Sequence, residues 1–226
     1  MIKAFPCELL TWEDMYDYGR VLSGKIREGK FRPDVVVAIA RGGYVPARTL
    51  CDFLTVTDLI SIKVDHWGVT AHPDSKAKLR HPLKINLSGK NVLLVDDLAD
   101  TGESFKVASA HLRGLRPKKL KTASLFFLEK CPFKPDFYAA KKTWKWFVFP
   151  WNFHEDLSYL VSGLFDAKST DKKSLGMLLE ELHFKHGIDV EKTKVKDVLD
   201  DLVRKKVLMP YWTSGSLIRW MPFQKK

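Results

Sequence analysis

The chain has 226 residues, 45% of them hydrophobic, and a formal net charge of +11. That is ample for one packed domain with an addition and short for two full domains. No apolar run approaches the roughly 18 residues of a membrane-spanning helix, and Met1–Leu10 lacks the long apolar segment of a signal peptide, so a cytoplasmic protein without a membrane partner is expected. The three widely spaced cysteines, Cys7, Cys51 and Cys131, show no metal-type pairing and read as reduced structural thiols, with Cys131 alone near a candidate site. The positive charge is spread along the chain rather than gathered in a tail. By itself it admits either nucleic acid or a site for phosphate and diphosphate.

In chain order, Thr11 to about Arg27 reads as a helix, with Asp14 at the capping-box position and Trp12, Met15, Tyr16, Leu22 and Ile26 near helical spacing. Pro33 breaks the chain before Val35–Ala40, a continuous apolar run suited to a strand covered on both faces. Arg41-Gly42-Gly43 then leads into a helix through Leu54. Leu59–Val64 is a third strand candidate. Residues 65–90 are polar and too long for an ordinary connection, which suggests a lid loop. Residues 91–95 form another buried-strand run, followed by a helix over Glu103–Leu112. Leu120–Leu128 and Lys145–Phe149 complete the strands. Strands alternating with helices predict an α/β fold, a mostly parallel twisted sheet with flanking helices.

After Phe165 the composition shifts to Asp166-Ala-Lys-Ser-Thr-Asp-Lys-Lys173, which places a boundary between residues 1–165 and a helical C-terminal extension, residues 166–226. His154–Leu164, Leu175–His186 and Val195–Arg204 are helix candidates. The end of the chain fits a hairpin turning at Ser214–Gly215, so a winged-helix-like unit is one reading of the extension.

The chemistry concentrates in Asn91-Val-Leu-Leu-Val-Asp-Asp-Leu-Ala-Asp-Thr-Gly-Glu-Ser104. In open α/β sheets ligands bind at the carboxyl ends of strands, so Asp96 and Asp97 would face a crevice, where adjacent carboxylates accept hydrogen bonds from vicinal hydroxyls such as those of ribose. Thr101, Gly102, Glu103 and Ser104 add backbone N–H groups and two hydroxyls at a helix N-terminus, a cradle for a phosphomonoester that Gly102 lets the backbone approach closely. Read without a ligand, Asp100 and Thr101 are ordinary helix caps.

This string resembles the phosphoribosyl-diphosphate (PRPP) signature of type I phosphoribosyltransferases. Beside it, Arg41-Gly42-Gly43 is similar to that family's diphosphate-binding loop, where some members hold a non-proline cis peptide. Glu129-Lys130-Cys-Pro and Trp146-Phe-Val-Phe-Pro-Trp151 resemble elements around the nucleobase in the xanthine-guanine and related purine enzymes. The resemblance covers roughly residues 33–152. It implies a purine phosphoribosyltransferase that transfers the phosphoribosyl group of PRPP to a purine base, a 6-oxopurine in preference, and releases diphosphate. Asp96 and Asp97 would hold the ribose, residues 101–104 the 5′-phosphate, and Arg41–Gly43 with Mg²⁺ the diphosphate. Asp100 would exchange a proton with the purine nitrogen-7, Lys130 would donate to an exocyclic oxygen, Trp146 would stack on the ring, and the Phe147 backbone would meet the base edge. Mg²⁺ would be bound chiefly through diphosphate oxygens and water, with no dedicated protein ligands. A homodimer is expected and nucleic acid is not. Where some related purine enzymes carry a Ser-Tyr pair in their mobile loop, this chain offers His66-Trp67, then Lys76, Lys78 and Arg80, and no closing residues are assigned. Two alternatives stand beside this reading: an adenine-using enzyme on the same scaffold, and a regulator that senses PRPP through the fold and binds DNA through a C-terminal winged helix.

Overall fold

The computed structural model describes residues 4–69, 72–166, 169–212 and 218–223. The elements run β1 (Cys7–Leu9), α1 (Trp12–Glu28), β2 (Val35–Ala40), α2 (Tyr44–Leu54), β3 (Leu59–Val69), β4 (His72–His81), β5 (Asn91–Ala99), α3 (Glu103–Gly114), β6 (Lys119–Leu128), β7 (Phe137–Lys142), β8 (Trp146–Val148), α4 (Phe153–Gly163), β9 (Lys173–Ser174), α5 (Leu175–His186), α6 (Lys192–Arg204), β10 (Leu208–Trp212) and β11 (Ile218–Pro222). They pack as two compact units, Trp12–Trp144 and Met1–Thr11 with Lys145–Lys226.

The Trp12–Trp144 unit is built on a six-stranded sheet in the order β4-β3-β2-β5-β6-β7. Every pairing is parallel except that of β3 with β4. All of β2 and Val92–Val95 of β5 are buried, as their unbroken Val/Ile/Leu/Ala runs require of central strands covered on both faces. Helix α1 turns Met15, Leu22 and Ile26 inward and lies over β6 and β7. There Tyr18 meets Phe126 edge-on at 4.8 Å, and Lys25 Nζ donates to the carbonyls of Tyr138 and Ala139 at 2.9 Å each. Helix α3 buries Phe105, Ala108 and Leu112, one stripe at helical spacing.

Two strand expectations change. Much of the stretch expected as a lid loop is a hairpin, because β3 runs on to Val69 and β4 returns antiparallel with Asp65 opposite Lys78 and Lys63 opposite His81. Buried Ala77 and half-buried Leu79 alternate with exposed Lys78 and Arg80, a strand period that the many charges conceal. The segment 145–149 is not the last strand of this sheet. That place belongs to β7, Phe-Tyr-Ala-Ala-Lys-Lys, which pairs on one side only and so needs no continuous apolar run. The predicted turn at Ser214–Gly215 lies outside the described residues, as do the side chains of His66, Trp67 and Lys76.

In the other unit β8 pairs in parallel with β1, Cys7 opposite Trp146 and Leu9 opposite Val148. Cys7, Val148, Leu157, Leu160, Leu178, Leu182, Val195, Leu199, Leu202, Leu208 and Trp220 form one core. Ser174 caps α5 by accepting from the Met177 N–H at 3.3 Å, and Gly187 closes it at φ 69°. Strands β10, β11 and β9 form an antiparallel sheet in that order, so the extension is not purely helical. From α4 onward the element order is α4-β9-α5-α6-β10-β11, helices combined with a small antiparallel sheet. Packing divides the chain before residue 145 rather than near residue 165, because β8 and α4 bury their apolar faces in this second core. No described helix is long and apolar enough to cross a membrane.

Candidate active site

Strand β2 is hydrogen-bonded to β3 on one side and β5 on the other, and the chain leaves β2 toward β3 but leaves β5 toward β6. The carboxyl ends of β2 and β5 therefore flank a topological switch point, where such sheets open a crevice. Pairing of β2 with β5 ends at Ala38 and Val95, whereas β5 stays paired with β6 out to Ala99 and Phe127. Asp96 and Asp97 thus run beyond their β2 neighbour, and the segment leaving β2 turns toward them. The Ala40–Arg41 peptide is cis. A Cβ on Gly42 would lie 2.2 Å from Asp97 Oδ2, and one on Gly43 would lie 2.5 Å from the Val95 carbonyl oxygen. The glycine pair is dictated by this close approach, and Gly42 rests directly on an acid of the signature.

Asp96 is buried, and its Oδ1 accepts the Asp97 N–H at 3.0 Å. Burial, followed by the adjacent Asp97 charge, pushes its carboxyl well above the usual carboxylate range. Asp97 and Asp100 are half-buried. Gly102 starts α3 with φ 75° and, as a glycine, offers no capping side chain of its own, at the positive end of the dipole of this 12-residue helix. Thr101 Oγ1 accepts from the Glu103 N–H at 3.4 Å, while the Glu103 carboxylate pairs with Lys106 at 2.7 Å. What Glu103 offers the turn is its backbone.

Lys130 is exposed in the turn that follows β6, on the same sheet edge, and has no ion-pair partner among the described residues. One edge of one unit thus gathers Arg41–Gly43, Asp96, Asp97, Asp100–Ser104 and Lys130. Trp146 and Phe147 belong to β8 of the other unit. The Trp146 N–H donates to the Pro6 carbonyl at 2.9 Å, and Phe147 is buried with its ring 6.4 Å from Phe149. Phe133, a neighbour of the turn, escaped sequence reasoning, whereas the sequence already places Cys131 near the site. Phe133 packs on Gly102, whose Cβ would fall 2.1 Å from its own. Cys131 Sγ donates to the Phe133 carbonyl at 3.1 Å; burial chiefly raises its thiol pKa, and the charge of Asp100 adds to that rise. The available signal was that Cys-Pro-Phe follows a strand ending at the same edge.

The described residues contain no group of three or more His, Cys, Asp or Glu placed to hold a metal ion. Two adjacent carboxylates and a glycine loop suit a hydrated hard cation that arrives on a polyphosphate rather than one caged by protein ligands.

An acid pair between a glycine loop and a helix N-terminus has the chemistry to suit a phosphorylated sugar. The chain belongs to the phosphoribosyltransferase family, since its residues 8–157 match the phosphoribosyl transferase domain. It is 27% identical over 145 residues to a xanthine-guanine phosphoribosyltransferase of Gluconobacter oxydans, covering 63% of this chain and 83% of that one. A purine phosphoribosyltransferase from Pyrococcus horikoshii superposes with a TM-score of 0.56 at 32% identity, over 64% of this chain and 93% of its own. The xanthine-guanine-hypoxanthine enzyme of Helicobacter pylori shares the fold with a TM-score of 0.54 at 23% identity, over 69% of this chain and 99% of that chain.

Proposed function

We propose that the chain is a purine phosphoribosyltransferase of the salvage type, which moves the 5-phosphoribosyl group of PRPP to a 6-oxopurine and releases diphosphate. The observation that carries this reading is the contact of Gly42 with Asp97 at the switch point, because it joins the anion loop to the acid pair in one crevice. In this reading Asp96 and Asp97 accept hydrogen bonds from the ribose hydroxyls and fix the anomeric carbon between leaving diphosphate and entering nitrogen. The amides of Gly102–Ser104 and the Thr101 and Ser104 hydroxyls hold the 5′-phosphate. Arg41 and the Gly42–Gly43 amides hold the diphosphate. Mg²⁺ bound with the diphosphate would neutralise charge on the leaving group. Asp100, beside the phosphate turn, takes up or returns the proton of the purine nitrogen-7.

Lys130 sets the choice of base. An ammonium only donates, so it matches a 6-oxo group and opposes a 6-amino group, a mismatch that can cost orders of magnitude in kcat/KM. The family pattern, and not the geometry above, assigns Trp146 and the Phe147 backbone to the base. Trp146→Ala, expected to raise the base KM, tests that assignment by itself. A homodimer belongs to the same reading and is checked by sedimentation.

The deciding experiment incubates the protein with PRPP, Mg²⁺ and each of adenine, hypoxanthine, guanine and xanthine and measures nucleotide and diphosphate. Transfer to hypoxanthine or guanine at least about tenfold better than to adenine is expected. A clear adenine preference would remove Lys130 from its role and leave the PRPP site standing. No transfer to any purine would overturn the reading.

A further inference from the structure

The 5′-phosphate turn is braced from outside its own motif. Gly102 holds φ 75°, and the space its side chain would take is filled by Phe133, whose Cβ lies 2.1 Å and Cγ 3.0 Å from an ideal Cβ built there. The Phe133 ring stacks on Phe105, the third residue of α3, with centroids 5.2 Å apart and planes 8° from parallel. Phe105 is itself buried against the sheet. The Phe133 carbonyl is held by the Cys131 thiol at 3.1 Å, and the same short loop carries Lys130. One aromatic side chain therefore touches the turn, stacks on the first turn of the helix behind it, and ties both to the loop after β6.

We propose that Phe133 is the positioning residue of the phosphate turn: its packing against Gly102 and Phe105 holds the amides of residues 102–104 converged on one anion. This rests on the reading that the turn binds the 5′-phosphate of PRPP. Gly102 has no Cβ to restrict its own conformation and no side chain of its own to cap α3, so the left-handed turn leans on the outside contact with Phe133. With Phe133 cut back, the glycine gains conformers in which the amides diverge, and the cost falls on ground-state capture of the phosphate. Chemistry at the anomeric carbon, set by Asp96, Asp97 and Asp100, is not touched.

The test compares wild type, Phe133→Ala, Phe133→Leu and Phe133→Tyr in steady-state kinetics with PRPP and hypoxanthine, with folding checked by circular dichroism and thermal melting. Phe133→Ala should raise the PRPP KM about tenfold and leave kcat within about twofold. Phe133→Tyr, which keeps the stack, should behave as wild type, and Phe133→Leu should fall between. If the alanine variant does not fold, the leucine variant decides in the same way. A folded variant with unchanged PRPP KM, or with a fall confined to kcat, overturns the proposal. Inactive wild type with every purine overturns the underlying reading instead, so the two failures are told apart.

Discussion

Gly42 and Asp97 show how tightly single residues constrain the site. A methyl group on Gly42 would sit 2.2 Å from Asp97 Oδ2 and 2.6 Å from its Cγ, so either the loop or the carboxylate must move. Gly42→Ala is expected to lower kcat/KM for PRPP by about 100-fold, equivalent to about 2.7 kcal/mol, with the far-ultraviolet circular dichroism of wild type retained. Asp96 poses the complementary case. Its carboxyl titrates above the ordinary range because burial and then Asp97 oppose its charge, so the folded state binds the proton more tightly than the unfolded chain does. Stability must therefore fall as pH rises from about 4 toward the folded value, and it stays reduced above that. Asp96→Asn removes this cost. Its melting temperature should exceed wild type by roughly 2–4 °C at pH 7 and converge with it below about pH 4, while PRPP turnover is severely impaired. A variant less stable than wild type at pH 7 would contradict that account of the acid pair.

At the scale of elements, legibility in the sequence followed burial. Strands β2 and β5 and helix α3 were readable because both faces of the strands and one stripe of the helix are covered, which leaves unbroken apolar runs and a clean period. Edge strands β4 and β7 were not, because an edge tolerates lysine and arginine and masks its alternation. The site followed a similar rule. Residues 96–104 were legible as one local motif, whereas Phe133 was not, because its part arises only when a distant loop closes on Gly102. Asp136 shows such a tertiary link with a measurable signature. It accepts from the Thr122 N–H and hydroxyl at 2.8 and 2.9 Å and pairs with Lys121 at 2.6 Å, tying the approach to β7 onto β6. Burial raises its carboxyl, but Lys121 and Thr122 together outweigh burial and hold it below the usual range. Such a group stabilises above the unfolded value near pH 4 and loses its contribution as pH falls through the folded value. Asp136→Asn should destabilise by about 1 kcal/mol at pH 7, an amount limited by solvent screening, and the gap in denaturant midpoints should close in acid.

For the whole molecule, the helices and antiparallel sheet of the second unit are where a DNA-binding regulator would have to make its contact. The exposed side of α6 mixes Lys192, Thr193 and Lys196 with Asp197 and Asp200, and Asp201 is engaged by Arg204 at 3.2 Å and Lys205 at 2.6 Å. Acids at two solvent-facing positions of the helix that would enter a groove oppose a phosphate backbone. Gel-shift titration at physiological salt should find no preference for one duplex sequence over random competitor. Tight, selective binding would bring the PRPP-sensing regulator forward.

The pairing of β1 with β8 has a consequence in time rather than space. Cys7–Leu9 precedes the Trp12–Trp144 unit in the chain, yet its partner Trp146–Val148 follows that unit. A contact of such high sequence separation is slow to form, and during synthesis the sheet-bearing unit can condense while the N-terminal strand waits. A strand made ahead of the sheet-bearing unit thus finds its place only after that unit is complete, and the second core closes only once β8 has been made.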